Sequence, residues 1–377
     1  MILDFITRRV IILTTIILSS FTLMADKHED EKDIFHADGP YIIYKGKSVN
    51  VISANNKGDI TNLTYAIDKL PKVFEVLSEE AEHKFNIALH PIEVPANTYT
   101  QPTKTFVLSD PHGDFDAFVS ILKAGNVINN DYQWSYGTNH LVVIGDAFDR
   151  GVDVLPILWL CYKLDAEASK SGGKLHYIIG NHEDMVLSGN YKYTDDKYED
   201  ISNYLKVDYR SLFDENTELG RWLRSRNFIE KVGDNLFVHA GLSQEFLDKN
   251  LSLDEVNSTM RKYLGVGKSK IEDKSSLAYF LFDKMGPIWY RGLVKSDDKY
   301  SPIEKEALNA ILTKYGVKRI IVGHTIFEDI NLHQHGKVID VNVKNDHNRR
   351  TGRARAIIIE GNNISLINDD KQTTPLK

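Results

Sequence analysis

Five short apolar runs in this chain each end in a residue that can grip a metal ion. Thr105-Phe106-Val107-Leu108 leads through Ser109 to Asp110 and His112, and Leu141-Val142-Val143-Ile144 leads through Gly145 to Asp146. His176-Tyr177-Ile178-Ile179 leads to Asn181 and His182, Asn235-Leu236-Phe237-Val238 to His239, and Arg319-Ile320-Ile321-Val322 through Gly323 to His324. Unbroken apolar runs of this length read as strands buried on both faces. Taken singly, Gly145-Asp146-Ala147-Phe148-Asp149-Arg150-Gly151 could be a polar turn with a helix cap. Five such endings in one chain select the other reading, because parallel strand tips converge on one sheet edge, where ligands bind. Asp110 and His112 leave one loop in the same direction, and a carboxylate with an imidazole suits manganese, iron or zinc.

The text between these runs predicts helices over Phe115–Ala124 and Val154–Ala168, which makes the first two runs β–α units. Ahead of them, Tyr41–Tyr44 and Val49–Ile52 flank Lys45-Gly46-Lys47 as a β-hairpin. A helix is expected over Pro71–Glu82, an extended segment over Asn86–Val94, and a linker over Pro95–Lys104. Residues 26–102 therefore read as a leader and a small accessory β-rich module, and residues 103–377 as the catalytic domain. Within the latter, 185–235 reads as a tyrosine-rich helical insert over the metal edge, with a role either in substrate choice or in packing alone. Leu251–Met285 continues with helices and a turn at Gly265–Lys270, and Lys337–Val341 and Ala356–Ile359 read as closing strands of a second sheet. His140, His176, His333, His335 and His347 lack the strand-then-glycine setting and read as surface or sheet-edge residues.

At the start, Arg8 and Arg9 precede an apolar run and Ala25 precedes the charged stretch Asp26–Asp30, the pattern of a cleaved secretory signal over residues 1–25. The expected location is the periplasm or the outside, with an N-terminal membrane anchor as the alternative. Val10–Ala25 is 16 residues long, and a bilayer span needs about 20. A net charge of −7 argues against coating a nucleic acid. The one cysteine, Cys161, excludes an intrachain disulfide and lies in an apolar run as a core thiol.

Asp110-Pro111-His112-Gly113, Gly145-Asp146-x-x-Asp149-Arg150-Gly151, Gly180-Asn181-His182-Glu183, His239-Ala240-Gly241 and Gly323-His324-Thr325, in that order, resemble the motifs of calcineurin-like metallophosphoesterases. Asp149-Arg150-Gly151 brings the resemblance nearest the phosphoprotein phosphatase branch. The exported start and front β module are similar to the bacterial Shewanella-type phosphatases. The motifs span residues 103–361, and Ser109 departs from the glycine usual before the first aspartate. The resemblance implies an α/β fold, a four-layer α/β/β/α sandwich whose two mixed sheets carry the metals at one strand edge.

It also implies roles. Asp110 and His112 would bind a first ion, Asp146 would bridge, and Asn181, His239 and His324 would complete a second. The two ions would be manganese, iron or zinc, and a water shared between them would be the nucleophile. His182 diverges from its neighbour Asn181 and is left as general acid, with Asp149 fixing its tautomer; a simple loop cap is the other reading of Asp149. Arg150 would clamp phosphoryl oxygens, Asn181 would also face substrate, and Arg291 in Gly286–Gly292 would add a second fork unless it stacks on Trp289 or Tyr290. The implied reaction is hydrolysis of a phosphomonoester on phosphoserine, phosphothreonine or phosphotyrosine of a protein or peptide, or on a small phosphoester. Alternatives are a nucleotide phosphoesterase such as a dinucleoside polyphosphate hydrolase and, outside enzymes, a non-catalytic phosphate-binding module.

Overall fold

Apolar side chains alternate between two buried faces along each central strand, and this alternation builds the fold. The computed structural model describes residues 37–79 and 83–377. The signal-peptide reading of residues 1–25 falls outside the described residues. Among those described, no helix is long and apolar enough to cross a membrane.

The front of the chain is an antiparallel sheet of β1 (Asp38–Lys45), β2 (Ser48–Ala54) and β3 (Ile60–Ala66). Its first turn is the expected hairpin, with Tyr44 opposite Val49. Next come β4 (Val73–Leu77) and β5 (Lys84–Ala88), paired so that Val76 faces Phe85. This hairpin replaces the helix expected over Pro71–Glu82. Phe74 and Val76 turn inward while Val73 and Glu75 are exposed, a period of two that suits a half-buried strand. The extended segment expected at Asn86–Val94 correspondingly begins earlier and ends at Ala88. Nor is Pro95–Lys104 only a linker, because β6 (Thr98–Tyr99) joins the main body as an edge strand.

Then follow β7 (Thr105–Ser109), α1 (Phe115–Ala124), β8 (His140–Ile144), α2 (Val154–Lys170) and β9 (Lys174–Tyr177), the three strands parallel and adjacent. Helices α3 (Asn181–Ser188), α4 (Asp196–Leu205) and α5 (Glu218–Ser225) lead to the antiparallel pair β10 (Ile229–Val232) and β11 (Asn235–Val238). Helices thus continue to Ser225, as the helical character of Met185–Arg226 predicts, and the remainder of the 185–235 segment ends as a sheet strand. The helices α6 (Gln244–Asp248), α7 (Leu253–Tyr263), α8 (Leu277–Leu281) and α9 (Lys305–Tyr315) precede β12 (Arg319–Val322), β13 (Asn331–His333) and β14 (Val338–Asp340). Helix α10 (Asn345–Thr351) and strands β15 (Ala356–Glu360), β16 (Asn363–Ile367) and β17 (Thr373–Pro375) end the chain.

One six-stranded sheet runs β17-β16-β15-β7-β8-β9 and the other β13-β14-β12-β11-β10-β6. Lys337–Val341 thus contributes to the second sheet as expected, but Ala356–Ile359 belongs to the first, with Ile357 opposite Val107 of β7. Between the sheets, Val107, Val142, Ile144 and Ile357 meet Phe237, Ile321 and Ile339. Their neighbours Phe106, Leu108, Leu141 and Val143 point outward into a core shared with α1 and α2. Burying such a side chain stabilises by about 1.5–3 kcal/mol, which favours apolar residues between the sheets and leaves unpaired polar groups to the strand ends. The four-layer arrangement places those ends along one rim.

The front sheet rests on helices of the main body. Tyr44 donates to the Glu218 carboxylate (2.7 Å) and the Trp159 indole to the Pro40 carbonyl (3.1 Å). Cys161 is buried within α2. His176 meets the sheet-edge half of its reading and not the surface half. It lies on the edge strand β9 but is buried, its Nδ1 2.5 Å from Glu230 and its Nε2 3.0 Å from His140, which ties the margins of the two sheets together.

Candidate active site

Beyond the last apolar residue of each tip strand the chain turns abruptly. Asp110 (φ 50°), His112 (43°), Asp146 (56°), Asp149 (70°), Arg150 (71°) and His324 (64°) all take the left-handed conformation. Non-glycine residues held there cost about 1–3 kcal/mol each, and such strain clusters where function overrides stability. Backbone bonds between adjacent loops hold it in place. The His112 N–H donates to the Asp146 carbonyl (2.9 Å), Gly113 to Ala147 (3.0 Å) and Gly151 back to His112 (3.0 Å). Two close approaches demand glycine. A Cβ on Gly113 would lie 2.4 Å from the Gly151 carbonyl oxygen, and one on Gly180 would lie 2.2 Å from Asp146 Oδ1.

All six expected metal ligands meet at this rim. Asp146 is common to two clusters: with His112 and His182, and with His239 and His324, the donor atoms of each lying within 4.8 Å of one another. Its Oδ2 is 3.2 Å from His239 Nε2 and 3.9 Å from His112 Nε2. Asp110 stands 3.9 Å from His112 Nε2 and accepts from the His324 N–H (3.0 Å). Asn181 joins through its Oδ1, 2.9 Å from His239 Nε2. Ser109, the departure from the family pattern, turns its hydroxyl onto the Asp110 carboxylate.

These residues fit a pair of metal ions. His324 Nε2 is buried and has no hydrogen-bond partner among the described residues, an orphan that a ligand bond would satisfy. Burial pushes the Asp110 carboxyl up to about 7, and the neighbouring Asp146 pushes the same way. Burial also lowers His112 to about 4 and His324 far below its usual range, leaving both as the neutral imidazoles that ligate. His239 differs: burial lowers it, but Asp146 outweighs burial and raises it to about 9, so binding an ion there displaces a proton.

His182 is held from behind. Asp149 Oδ2 is 2.5 Å from its Nδ1, and Asp149 Oδ1 accepts from the Thr194 hydroxyl (2.7 Å). Both carboxylate oxygens are therefore spent on side chains rather than on a loop cap. Burial lowers the His182 pKa, but Asp146 and Asp149 outweigh it and the net shift is upward. Its Nε2 faces a cleft of about 330 Å³ lined also by Arg150, Arg291, Tyr193 and Asn342. Arg150 is exposed, its guanidinium 5.8 Å from the centre of the Tyr193 ring. Arg291 is held by the His324 carbonyl (3.2 Å) and the Thr325 hydroxyl (3.0 Å) on the cleft wall.

Sequence reasoning missed Glu183. Its Oε1 accepts from the Ala147 N–H (2.8 Å) and Tyr177 hydroxyl (3.0 Å), and its Oε2 from the Asp146 (3.0 Å) and Gly180 (2.7 Å) N–H groups. One buried carboxylate thereby fixes the turn that aims Asp146. The available signal was an acid directly after Asn181-His182 at the start of a helix. Glu183→Gln is expected to lower stability by about 2–4 kcal/mol, since its amide NH₂ must face two buried donors whichever way it points. Denaturant unfolding of the metal-free protein measures this, and an unchanged midpoint would deny Glu183 the role. Of the expected insert, Met185 and the stretch Asn190, Lys192 and Tyr193 border the cleft, while Tyr198 and Trp222 pack inside.

Known proteins resemble this chain in sequence and fold. A family model for calcineurin-like phosphoesterases matches residues 103–327. Shewanella-like protein phosphatase 2 of Arabidopsis thaliana is 26% identical over 277 residues, covering 62% of this chain and 69% of that protein. Shewanella-like protein phosphatase 1 of Plasmodium berghei is 29% identical over 224 residues, covering 59% and 61% respectively. The crystal structure of a cold-active protein-tyrosine phosphatase from a psychrophilic Shewanella species superposes with a TM-score of 0.79 at 30% identity, over 91% of this chain and 100% of that one. With its strand-tip motifs, its two-sheet fold and these relatives, the chain belongs to the calcineurin-like phosphoesterase family, as a metallophosphatase homologous to the Shewanella-like protein phosphatases.

Proposed function

We propose that the chain is a protein phosphatase that hydrolyses phosphomonoesters at a two-metal centre, acting on phosphotyrosine, phosphoserine or phosphothreonine. One observation carries this reading: Asp146 is shared by two donor clusters while His182, backed by Asp149, faces the same cleft. Asp110, His112 and Asp146 would hold one ion, and Asp146, Asn181, His239 and His324 the other. When bound, such ions supply Lewis acidity to the phosphoryl oxygens and an activated water.

The protein's own groups supply the remainder. His182 gives a proton from Nε2 to the leaving oxygen, and Asp149 keeps the other nitrogen protonated so that the ring cannot turn. Arg150 and Arg291 offer guanidinium groups to the phosphoryl oxygens and orient the ester. Likeness to a protein-tyrosine phosphatase along that protein's entire length supports a phosphorylated protein over a nucleotide as substrate. A panel of phosphotyrosyl, phosphoseryl and phosphothreonyl peptides, assayed with manganese, iron, zinc and magnesium in turn, tests the reading. At least one peptide class is expected to be turned over with one of the first three ions. Cleavage of dinucleoside polyphosphates with every phosphopeptide left intact would replace it with the nucleotide reading.

A further inference from the structure

A second groove, of about 660 Å³, opens directly beside the cleft over the metal ligands. The two share Met185, Asn190, Trp289 and Arg291 as a common wall, so whatever leaves the cleft across that wall enters the groove. Its sides are the end of α3, the turn Lys268–Lys270, the segment Phe282–Met285 and residues 299–301. The cleft, about 330 Å³, has room for a phosphoryl group and one side chain, and the adjoining groove of about 660 Å³ offers room for more of a substrate.

The lining is basic although the chain as a whole carries a net charge of −7. Lys268, Lys270, Lys284, Arg291 and Lys299 face it, against only Asp184 and Asp283. Both carboxylates are already engaged: Asp283 pairs with Lys268 at 2.6 Å, and buried Asp184 accepts from the Gly265 N–H at 3.1 Å. Lys270 and Lys284 are exposed and hold no ion pair among the described residues. Unpaired lysines in a groove concentrate field and select ligands of opposite sign. Met285, Phe282 and Trp289 add apolar contact beneath them, which suits a polypeptide better than a free anion.

We infer that this groove binds the polypeptide flank of the substrate and selects phosphorylated segments rich in aspartate and glutamate. The inference rests on the protein-phosphatase reading and names the substrate class within it. The phosphorylated residue occupies the cleft, Trp289 and Arg291 carry the chain across the shared wall, and acidic side chains pair with Lys270 and Lys284.

The test uses the full chain loaded with metal, as wild type and as the double variant K270E/K284E, whose changes lie on the surface. Three substrates are compared: a phosphotyrosyl peptide with acidic flanks, the same peptide with serine and glycine flanks, and p-nitrophenyl phosphate. Each exposed charge pair is worth about a twofold to fivefold effect, so wild type is expected to favour the acidic peptide about tenfold in kcat/KM. The preference should arise in KM and shrink as salt is raised. The double variant should lose it while its rates on the neutral peptide and the aryl phosphate stay within about twofold. Equal rates of wild type on both peptides would overturn the inference and leave the protein-phosphatase reading standing. An equal loss on all three substrates would also overturn it, since the lysines would then serve the fold or the chemistry. Cleavage of the aryl phosphate with neither peptide touched would overturn both.

Discussion

His182→Asn is expected to keep both metal ions and lose about 10²–10⁴-fold in kcat, the range that a positioned general acid supplies. The structure permits a competing role, because His182 Nε2 lies 3.9 Å from Asp146 Oδ2 and its donor atom fits one of the two metal-compatible clusters. Asparagine separates the two. It retains a polar group where Nδ1 meets Asp149 but has no nitrogen at the Nε2 position. If His182 is the acid, metal content after dialysis is unchanged and the loss depends on the ester. An aryl oxide leaves readily without a proton, so p-nitrophenyl phosphate should suffer less than a phosphoseryl peptide, whose alkoxide does not. If His182 is a ligand, an ion is lost and all esters fall together. Metal content measured alongside the two kcat ratios decides between them.

What could be read from the sequence follows from how local each constraint is. A buried strand tip must be apolar until its last residue, so the site announced itself as five abrupt changes from apolar to ligating residues, and Asp110, His112, Asp146, Asn181, His239 and His324 converge as parallel strands require. The mistaken helix at 71–82 failed for the opposite reason. Val73–Leu77 is short, its period of two shows only when the partner Lys84–Ala88 is set beside it, and pairing is a relation between segments. The apolar pattern of Ala356–Ile359 predicts a strand but not its sheet, because such a pattern fixes burial and not neighbours. Glu183 was hidden because its four donors come from two stretches of chain, 146–147 and 177–180, that only folding brings together. The basic groove was hidden likewise: Lys270, Lys284 and Lys299 are unremarkable surface lysines until folding lines them along one wall.

The strongest constraint on the centre is Asp146, and Asp146→Asn should cost both metal and activity. Burial alone would raise this carboxyl, but His239 and His182 beside it hold it ionised, well below its usual range. Its Oδ1 accepts from the His182 N–H at 2.9 Å while Oδ2 points at the histidines. Asparagine can still accept that N–H, and Glu183 still holds the backbone of the turn, so the local fold should persist. What disappears is the negative charge that, in the proposed two-metal centre, would lie between the cations, and the amide NH₂ now faces His239. Losing a shared ligand of this kind removes several kcal/mol of transition-state stabilisation, a fall of about 10³-fold or more in kcat/KM. Melting gives an independent readout. Ions that bind only the folded wild type stabilise it by about 2.7 kcal/mol when free at a hundred times their Kd. Chelation should therefore lower the wild-type Tm by several degrees and leave that of Asp146→Asn nearly unmoved. A variant that keeps two ions per chain, full turnover and the wild-type response to chelator would show that Asp146 does not bridge the centre.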